Sequence, residues 1–142
     1  MTTVRQLLDK KGREVFSIAP TVSVYEAVEE MAAHDVGALL VLRGEGLAGI
    51  VSERDYARKV ILKDRASRST LVSEIMTADV VTITPDCSVE EGLAVMTERR
   101  IRHLPVLEND RVIGMVSIGD LVKAVIREQQ STIEQLENYI SS

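Results

Sequence analysis

Apolar residues along the chain fall into short runs and helical stripes that occur twice in the same order. The first half contains the runs "VFSI", "ALLVL" and "LAGIV", and apolar residues recur between the first two runs at the i, i+3, i+4 and i+7 positions from Val24. Short apolar runs are typical of strands, and this spacing is typical of one buried helix face. The second half repeats the order with "VVTI", a helix starting at Ser88, "HLPVL" and "RVIGMV". Each half therefore predicts strand, helix, strand, strand and helix.

The two halves also align residue by residue. Residues 15–61 superpose on residues 80–126 at a constant offset of 65 without a gap, with 16 identities in 47 positions. The segments "RGEG" and "END" separate paired strands and predict hairpin turns, whereas Pro105 predicts an edge or irregular position in "HLPVL". We therefore predict an α/β (α+β) fold built from an internal repeat.

The segments outside the alignment set the predicted boundaries. Lead-in helices "VRQLL" and "VSEIM" precede the two repeats, and the polar segment "KDRASRST" is predicted to be a linker. The predicted divisions are 1–70 for the first lead-in helix, first repeat and linker, 71–128 for the second repeat, and 129–142 for a C-terminal helical extension. The apolar stripe of Ile126, Ile133, Leu136 and Ile140 has a polar opposite face, which predicts packing against a second copy in a homodimer.

Composition narrows the classes of function. A chain of 142 residues with 45% hydrophobic content suits one core of ordinary size, and its net charge of −5 gives no reason to expect nucleic acid or an anionic membrane as a partner. The N-terminus lacks the pattern of a signal peptide, and the single cysteine cannot form an internal disulfide, so we expect a cytoplasmic location. No nucleophile with a base and no metal-ligand set stands out, so we predict neither a catalytic nor a metal site.

The motif "GIVSERD", from Gly49, returns as "GMVSIGD", from Gly114, and two interpretations remain open. Ser-x-x-Asp before an apolar helical run is the pattern of a capping box. Two other helix starts, at Ser23 and Ser88, use Glu in place of Asp, and a glycine inside a strand can mark the close approach of a ligand. A helix start also favours an anion, so Ser would donate to a phosphate while Asp accepts from sugar hydroxyls.

These paired units resemble tandem CBS domains, named after cystathionine β-synthase, over residues 1–128. The phrases "IVSERDYARKV" and "MTERRIRHLPV" are similar to those of stand-alone bacterial CBS-pair proteins and their plant organellar relatives. The resemblance implies two pseudo-twofold-related β-α-β-β-α repeats forming a CBS pair (Bateman module), with clefts between the repeats that bind adenine nucleotides. It implies a non-catalytic sensor for AMP first, with ATP, ADP or NAD as alternatives, acting on an unidentified protein target. The competing hypothesis is a structural homodimerisation or protein-interaction module whose clefts stay empty.

The resemblance also implies which residues form the two clefts. Ser52 and Asp55 would serve one cleft, and Ser117 and Asp120 the other. Backbone around the pairs Glu14–Val15 and Asp79–Val80 would hold the bases. The other residues implied to bind ligand are Gly37, Ala38, Ile50, Arg54, Arg58, Arg102, His103 and Met115.

The candidate cations were separated by position, because a guanidinium suits phosphate oxygens. Arg54, Arg58, Arg102 and His103 lie beside the expected clefts, whereas Arg99, Arg100 and Lys63 are expected on solvated helix faces. The aligned repeats differ at Gly37/Arg102, Ala38/His103 and Arg54/Gly119, so the two clefts are not expected to be chemically equal. Cys87 aligns with a valine and is expected to be a packing residue.

Overall fold

The computed structural model describes residues 1–141, which form two compact units. The first unit is Val15–Val80, and the second joins Met1–Glu14 to the chain from Val81 onward. The segment before the first repeat therefore belongs with the second repeat. This arrangement crosses the division into 1–70 and 71–128 that the sequence order suggested.

The first unit contains a three-stranded sheet in the order β1-β2-β3. Strand β1 is parallel to β2, and β2 is antiparallel to β3. Its core consists of aliphatic side chains from helix α2, the sheet and the segments on either side of the linker. Its elements are β1 (Ser17–Ile18), α2 (Val24–His34), β2 (Ala38–Arg43), β3 (Gly46–Ser52), α3 (Glu53–Tyr56), a π-helical turn (Ala57–Ile61) and α4 (Val72–Ile75).

The second unit is built on the antiparallel pair β4-β5, and α1 and α5 contribute to its core. The predicted strand "VVTI" is wrong as a full strand, because only Ile83 forms a parallel bridge, to Val106. Pro105 lies within β4, between β5 and the Ile83 bridge, and it has no N–H to donate to a longer neighbouring strand. Its elements are α1 (Val4–Lys11), α5 (Val89–Arg99), β4 (His103–Glu108), β5 (Arg111–Ser117) and α6 (Ile118–Ser141).

Both predicted hairpin turns are present, and each has two residues. Gly44 in the first turn has φ of 65°, and Asn109 and Asp110 in the second have φ of 53° and 62°. Two consecutive residues with positive φ, as in the second turn, are typical of a type I′ turn, whereas a glycine with positive φ at the first position alone, as in the first turn, is typical of a type II′ turn. The twist of both turn types matches that of the strands they join. The turns fix the register that brings the ends of β3 and β5 to equivalent places in the two units.

The strand glycines are explained by packing within each unit. A Cβ on Gly49 would lie 2.7 Å from the Met76 sulfur and 2.8 Å from the Thr77 carbonyl oxygen. A Cβ on Gly114 would lie 2.7 Å from a methyl carbon of Leu8. The space beside each glycine is therefore filled by a lead-in segment of the protein itself. The interpretation that these glycines make room for a ligand was wrong.

Candidate functional site

Each Ser-x-x-Asp motif lies where a strand ends and a helix begins. Ser52 ends β3 opposite Ala38, and Ser117 ends β5 opposite His103. In the first unit the Glu53 N–H donates to the Gly37 carbonyl at 3.0 Å, and in the second the Ile118 N–H donates to the Arg102 carbonyl at 2.9 Å. The predicted residues of each repeat are thus brought together around the first turn of a helix.

The serine and aspartate of each motif form the reciprocal bonds of a capping box. The Asp55 N–H donates to Ser52 Oγ at 3.2 Å, and the Ser52 N–H donates to Asp55 Oδ2 at 2.9 Å. The same two bonds join Ser117 and Asp120, at 3.1 Å and 2.8 Å. Capping is therefore present at both junctions, and it satisfies amides that a helix start would otherwise leave free.

The comparison with the other two helix starts reverses one sequence argument. Ser23 and Ser88 accept from the N–H groups of Glu26 and Glu91 at 3.1 Å, but neither serine N–H donates to the glutamate carboxylate in return. The glutamates therefore do not complete a capping box at these two helix starts, whereas Asp55 does. At these strand ends the shorter side chain reaches the serine N–H.

A lysine contacts each aspartate, and sequence reasoning chose neither one as a site residue. Lys59 Nζ lies 3.1 Å from Asp55 Oδ1 and donates to the Ile75 carbonyl at 2.8 Å. Lys11 Nζ, at the end of α1, lies 2.5 Å from Asp120 Oδ2. The i,i+4 spacing from Asp55 to Lys59 is a signal that the sequence does carry. Lys11 has no such signal, since 109 residues separate it from Asp120.

The electrostatics of the second unit differ from those of the first. Burial acts to raise the pKa of Asp120, but hydrogen bonds from Lys11 and Ser117 and the lysine charge outweigh it, so the pKa lies below its usual value. Burial lowers the pKa of the His103 imidazole; the Asp120 charge opposes this shift, and the charges of Lys11 and Arg102 add to it. The site thus contains an ionised carboxylate beside a neutral imidazole near pH 7. The position aligned with His103 is Ala38, which cannot titrate.

The predicted arginines are exposed, and their side chains form no hydrogen bond or ion pair within residues 1–141. Arg54 and Arg58 lie in the first unit, and Arg102 in the second. Unpaired guanidinium groups next to a helix start remain available to an anion. The arrangement is therefore able to accept hydrogen bonds from hydroxyl groups at a carboxylate and to bind a phosphate nearby.

The remaining predicted residues lie at the ends of the units or within strands. Glu14 ends the leading part of the second unit and Val15 begins the first unit, while Asp79 and Val80 close the first unit. Ile50 in β3 exchanges both backbone hydrogen bonds with Thr77, at 3.0 and 2.9 Å. Met115, half-buried in β5, pairs with Pro105.

The other reactive side chains belong to packing. Burial, with the nearby Glu91 charge, raises the pKa of the Cys87 thiol, and Cys87 packs against the core of the second unit. His34 stacks on Phe16 and contacts Glu30 at 3.1 Å, while Asp35 caps helix α2. Over the described residues, no group of three or more potential metal ligands comes together. None of the helices within residues 1–141 is long and apolar enough to cross a membrane.

Comparison with known proteins identifies the family. The family model of the CBS domain matches residues 4–62 and 72–127. The mitochondrial CBS domain-containing protein CBSX3 of Arabidopsis thaliana is 43% identical over 148 residues, which is 98% of this chain and 72% of the relative. The solved structure of a Burkholderia ambifaria protein with CBS domains, assigned to signal transduction, is 51% identical with a TM-score of 0.87, covering 90% of this chain and 96% of that one.

A second solved structure is a CBS domain pair in complex with 5′-methylthioadenosine and S-adenosyl-L-methionine. Its TM-score is 0.80, and the match covers 90% of this chain and 98% of that one. At 24% identity, this likeness shows the fold alone.

Proposed function

The chain belongs to the CBS domain family, and on that premise we propose that it is a non-catalytic regulatory module that binds an adenine nucleotide at its Ser-x-x-Asp junctions. The observation that carries the proposal is that both junctions place a carboxylate at a helix start with an unpaired arginine nearby. Asp55 and Asp120 would accept from ribose hydroxyls. The arginines would bind phosphate.

AMP is the first candidate ligand because it has one ribose diol and one phosphate, which these two kinds of group match. ATP, ADP and NAD present the same chemistry with more phosphate. The ligand-bound CBS pair of the same fold contains adenosine derivatives, which supports an adenosine class of ligand without naming one for this chain. Binding would alter the shape of the module or its affinity for a protein target that is not identified.

A second candidate function is a homodimerisation or protein-interaction module with no nucleotide. Helix α6 favours it, because four apolar side chains on one face of its C-terminal part are more than half exposed. A stripe of that kind is typical of a helix that packs against a partner. The two functions are compatible, since three of the four stripe residues lie in the second half of α6, away from the Ser-x-x-Asp junction at its start. The four residues are Ile126, Ile133, Leu136 and Ile140.

The test compares thermal unfolding of the parent with that of Asp55→Asn combined with Asp120→Asn. A ligand at a hundredfold excess over Kd stabilises the folded state by ~2.7 kcal/mol, or roughly 5 to 11 °C for a chain of this size. Asparagine keeps an acceptor for the cap, so the empty double variant should unfold within a few degrees of the parent. It should lose most of the rise produced by AMP.

The matched control is Glu26→Gln with Glu91→Gln, which alters the Ser-x-x-Glu helix starts and should keep the AMP-induced rise. An empty double aspartate variant that is strongly destabilised, yet keeps the full rise, would show that the aspartates act only as caps. The absence of a rise with AMP, ADP, ATP and NAD in the parent would favour the module without nucleotide.

A further inference from the structure

Each motif aspartate has one lysine partner, but the two lysines come from different places in the repeat. Lys59 follows Asp55 by four residues in the same helical segment. The position aligned with Lys59 in the second repeat is Ala124, which is buried and has no charge. The helix after Asp120 therefore offers no ammonium group at this position. Lys11 supplies it from α1 instead.

The lead-in helix α1 positions Lys11 next to Asp120. Leu8 packs on Gly114 in the second unit as Met76 packs on Gly49 in the first, so the two lead-in segments occupy equivalent places. Helix α4 ends at Ile75, whereas α1 continues to Lys11. The additional turn of α1 carries the lysine to Asp120. The pairing is thus a separate feature of the second unit and not a consequence of the repeat.

The two lysines are also bound differently. Lys59 forms an ion pair with the Asp55 carboxylate and donates a hydrogen bond to the Ile75 carbonyl. Lys11 has one acceptor within residues 1–141, the Asp120 carboxylate, and its side chain is 34% exposed. An ammonium group has three N–H bonds, so Lys11 keeps two for a ligand.

The carboxylate of Asp120 is only partly occupied. Its Oδ2 accepts from Lys11 and from the Ser117 N–H, while its Oδ1 has no hydrogen-bond partner within residues 1–141. Asp55 differs, since Oδ2 accepts from Ser52 and Oδ1 contacts Lys59. A ribose hydroxyl therefore has a free acceptor at Asp120 without displacing the lysine, and the lysine lies beside the bound sugar.

We propose that Lys11 is a specificity-determining residue of the Asp120 site, which makes that site prefer a phosphorylated adenine ribonucleotide over the bare nucleoside. The inference rests on the proposed function and deepens it. An ammonium group with free donors next to the sugar favours an anionic substituent on that sugar. The Asp55 site, whose lysine is held by an ion pair and by a backbone carbonyl, gains less from a phosphate.

The experiment measures Kd for AMP and for adenosine by calorimetry in the parent, in Lys11→Met and in the matched control Lys59→Met. Methionine keeps most of the apolar stem and removes the charge. Lys11→Met should lower the preference for AMP over adenosine by about tenfold or more, the usual scale of one charge-assisted hydrogen bond, with the adenosine Kd changed by less than about threefold. Lys59→Met should change the preference by less than about threefold.

An unchanged preference in Lys11→Met, or an equal loss in Lys59→Met, would overturn the inference while AMP binding by the parent keeps the proposed function. A parent that binds neither compound overturns both. A second measurement needs no ligand: the carboxyl carbon resonance of Asp120 is followed by NMR as a function of pH. Its titration midpoint should rise in Lys11→Met and stay unchanged in Lys59→Met, because Lys11 helps to lower the pKa of Asp120. A midpoint that does not move in Lys11→Met also overturns the inference.

Discussion

The two Ser-x-x-Asp junctions fold alike for one turn and then differ. Both begin with a capping box and with an N–H bonded to the carbonyl of the residue that precedes the paired strand. After Tyr56 the first junction continues as a π-helical turn that ends at Ile61, whereas α6 runs without a break to Ser141. The local motif thus determines the first turn, and the residues beyond it determine how far the helix extends.

The charged residues around the two aspartates are similar in kind but come from different positions in the repeat. Asp55 and Asp120 each lie beside an ammonium group, but a uniform offset of 65 pairs Lys59 with Ala124 and hides the role of Lys11. Equivalent surroundings therefore arise from residues that are not equivalent in the repeat. Ala38 and His103 show the opposite case, in which aligned positions give the two units different surroundings. Only the second unit has a half-buried imidazole opposite its motif serine.

The largest expected effect is on dimer stability and concerns the C-terminal part of α6, which has no counterpart in the first unit. We predict that the stripe of Ile133, Leu136 and Ile140 packs against a second copy of the chain. Burial of an aliphatic side chain contributes about 1.5 to 3 kcal/mol. A chain ending at Glu128 should therefore form a dimer weaker by ~3 kcal/mol or more, about a hundredfold in Kd. Light scattering over a concentration series measures this change.

Point variants in the full chain separate loss of the stripe from loss of the segment. Ile133→Ser with Leu136→Ser should weaken the dimer in the same direction as the truncation. Asn138→Ala, at an exposed position outside the stripe, should leave its dissociation constant within about twofold. A chain ending at Glu128 with the same dimer mass and dissociation constant as the parent would remove α6 from the interface.

The next effect compares the strand glycines. A Cβ at Gly49 meets the Thr77 backbone oxygen, which cannot yield without moving the chain, whereas a Cβ at Gly114 meets the end of the Leu8 side chain. Overpacking usually costs about 1 to 3 kcal/mol. We expect Gly49→Ala to lower the free energy of unfolding by ~3 kcal/mol and Gly114→Ala by ~1 kcal/mol, measured in urea.

Gly46→Ala is the control for the loss of glycine itself, because its Cβ would meet only the Arg43 carbonyl oxygen at an ordinary 3.4 Å. It should change stability by less than about 0.5 kcal/mol. If Gly114→Ala proves as harmful as Gly49→Ala, the buried Leu8 side chain has no more freedom than backbone, and the two lead-in segments are equally rigid.

The sequence was sufficient for the order of elements, because hydrophobic spacing and turn residues act locally. It predicted the two hairpins, the helices beginning after Ser23 and Ser88, and the family. It did not predict that "VVTI" pairs only at Ile83, since the extent of a strand depends on its neighbours in the sheet. The role of Gly49 and Gly114 was also misinterpreted from the sequence, because the side chains that pack on them come from segments distant in the chain.

The candidate site shows the same division. Ser52, Asp55, Ser117 and Asp120 could be chosen from a repeated pattern, and the structure places each pair at a helix start. The ion pair of Lys11 with Asp120 could not be found, because it joins the end of one helix to the start of another across 109 residues. The nucleotide assigned to these residues remains a proposal.

The smallest expected effect is the pH response that His103 gives to the second unit alone. Burial lowers its folded-state pKa below the unfolded value of about 6.5. The unfolded chain then binds more protons over this window, so the contribution of His103 to stability is present above about pH 6.5 and is lost as the pH falls towards the folded-state pKa. His103→Ala, which copies Ala38 of the first unit, should flatten the dependence of the unfolding free energy on pH just below 6.5.

The imidazole resonance of His103 should titrate below the ordinary midpoint, and Asp120→Asn should lower that midpoint further, because the aspartate charge acts to raise this pKa. A midpoint at or above the ordinary value would mean that burial does not control this histidine, and the two units would then differ here in shape but not in their response to pH.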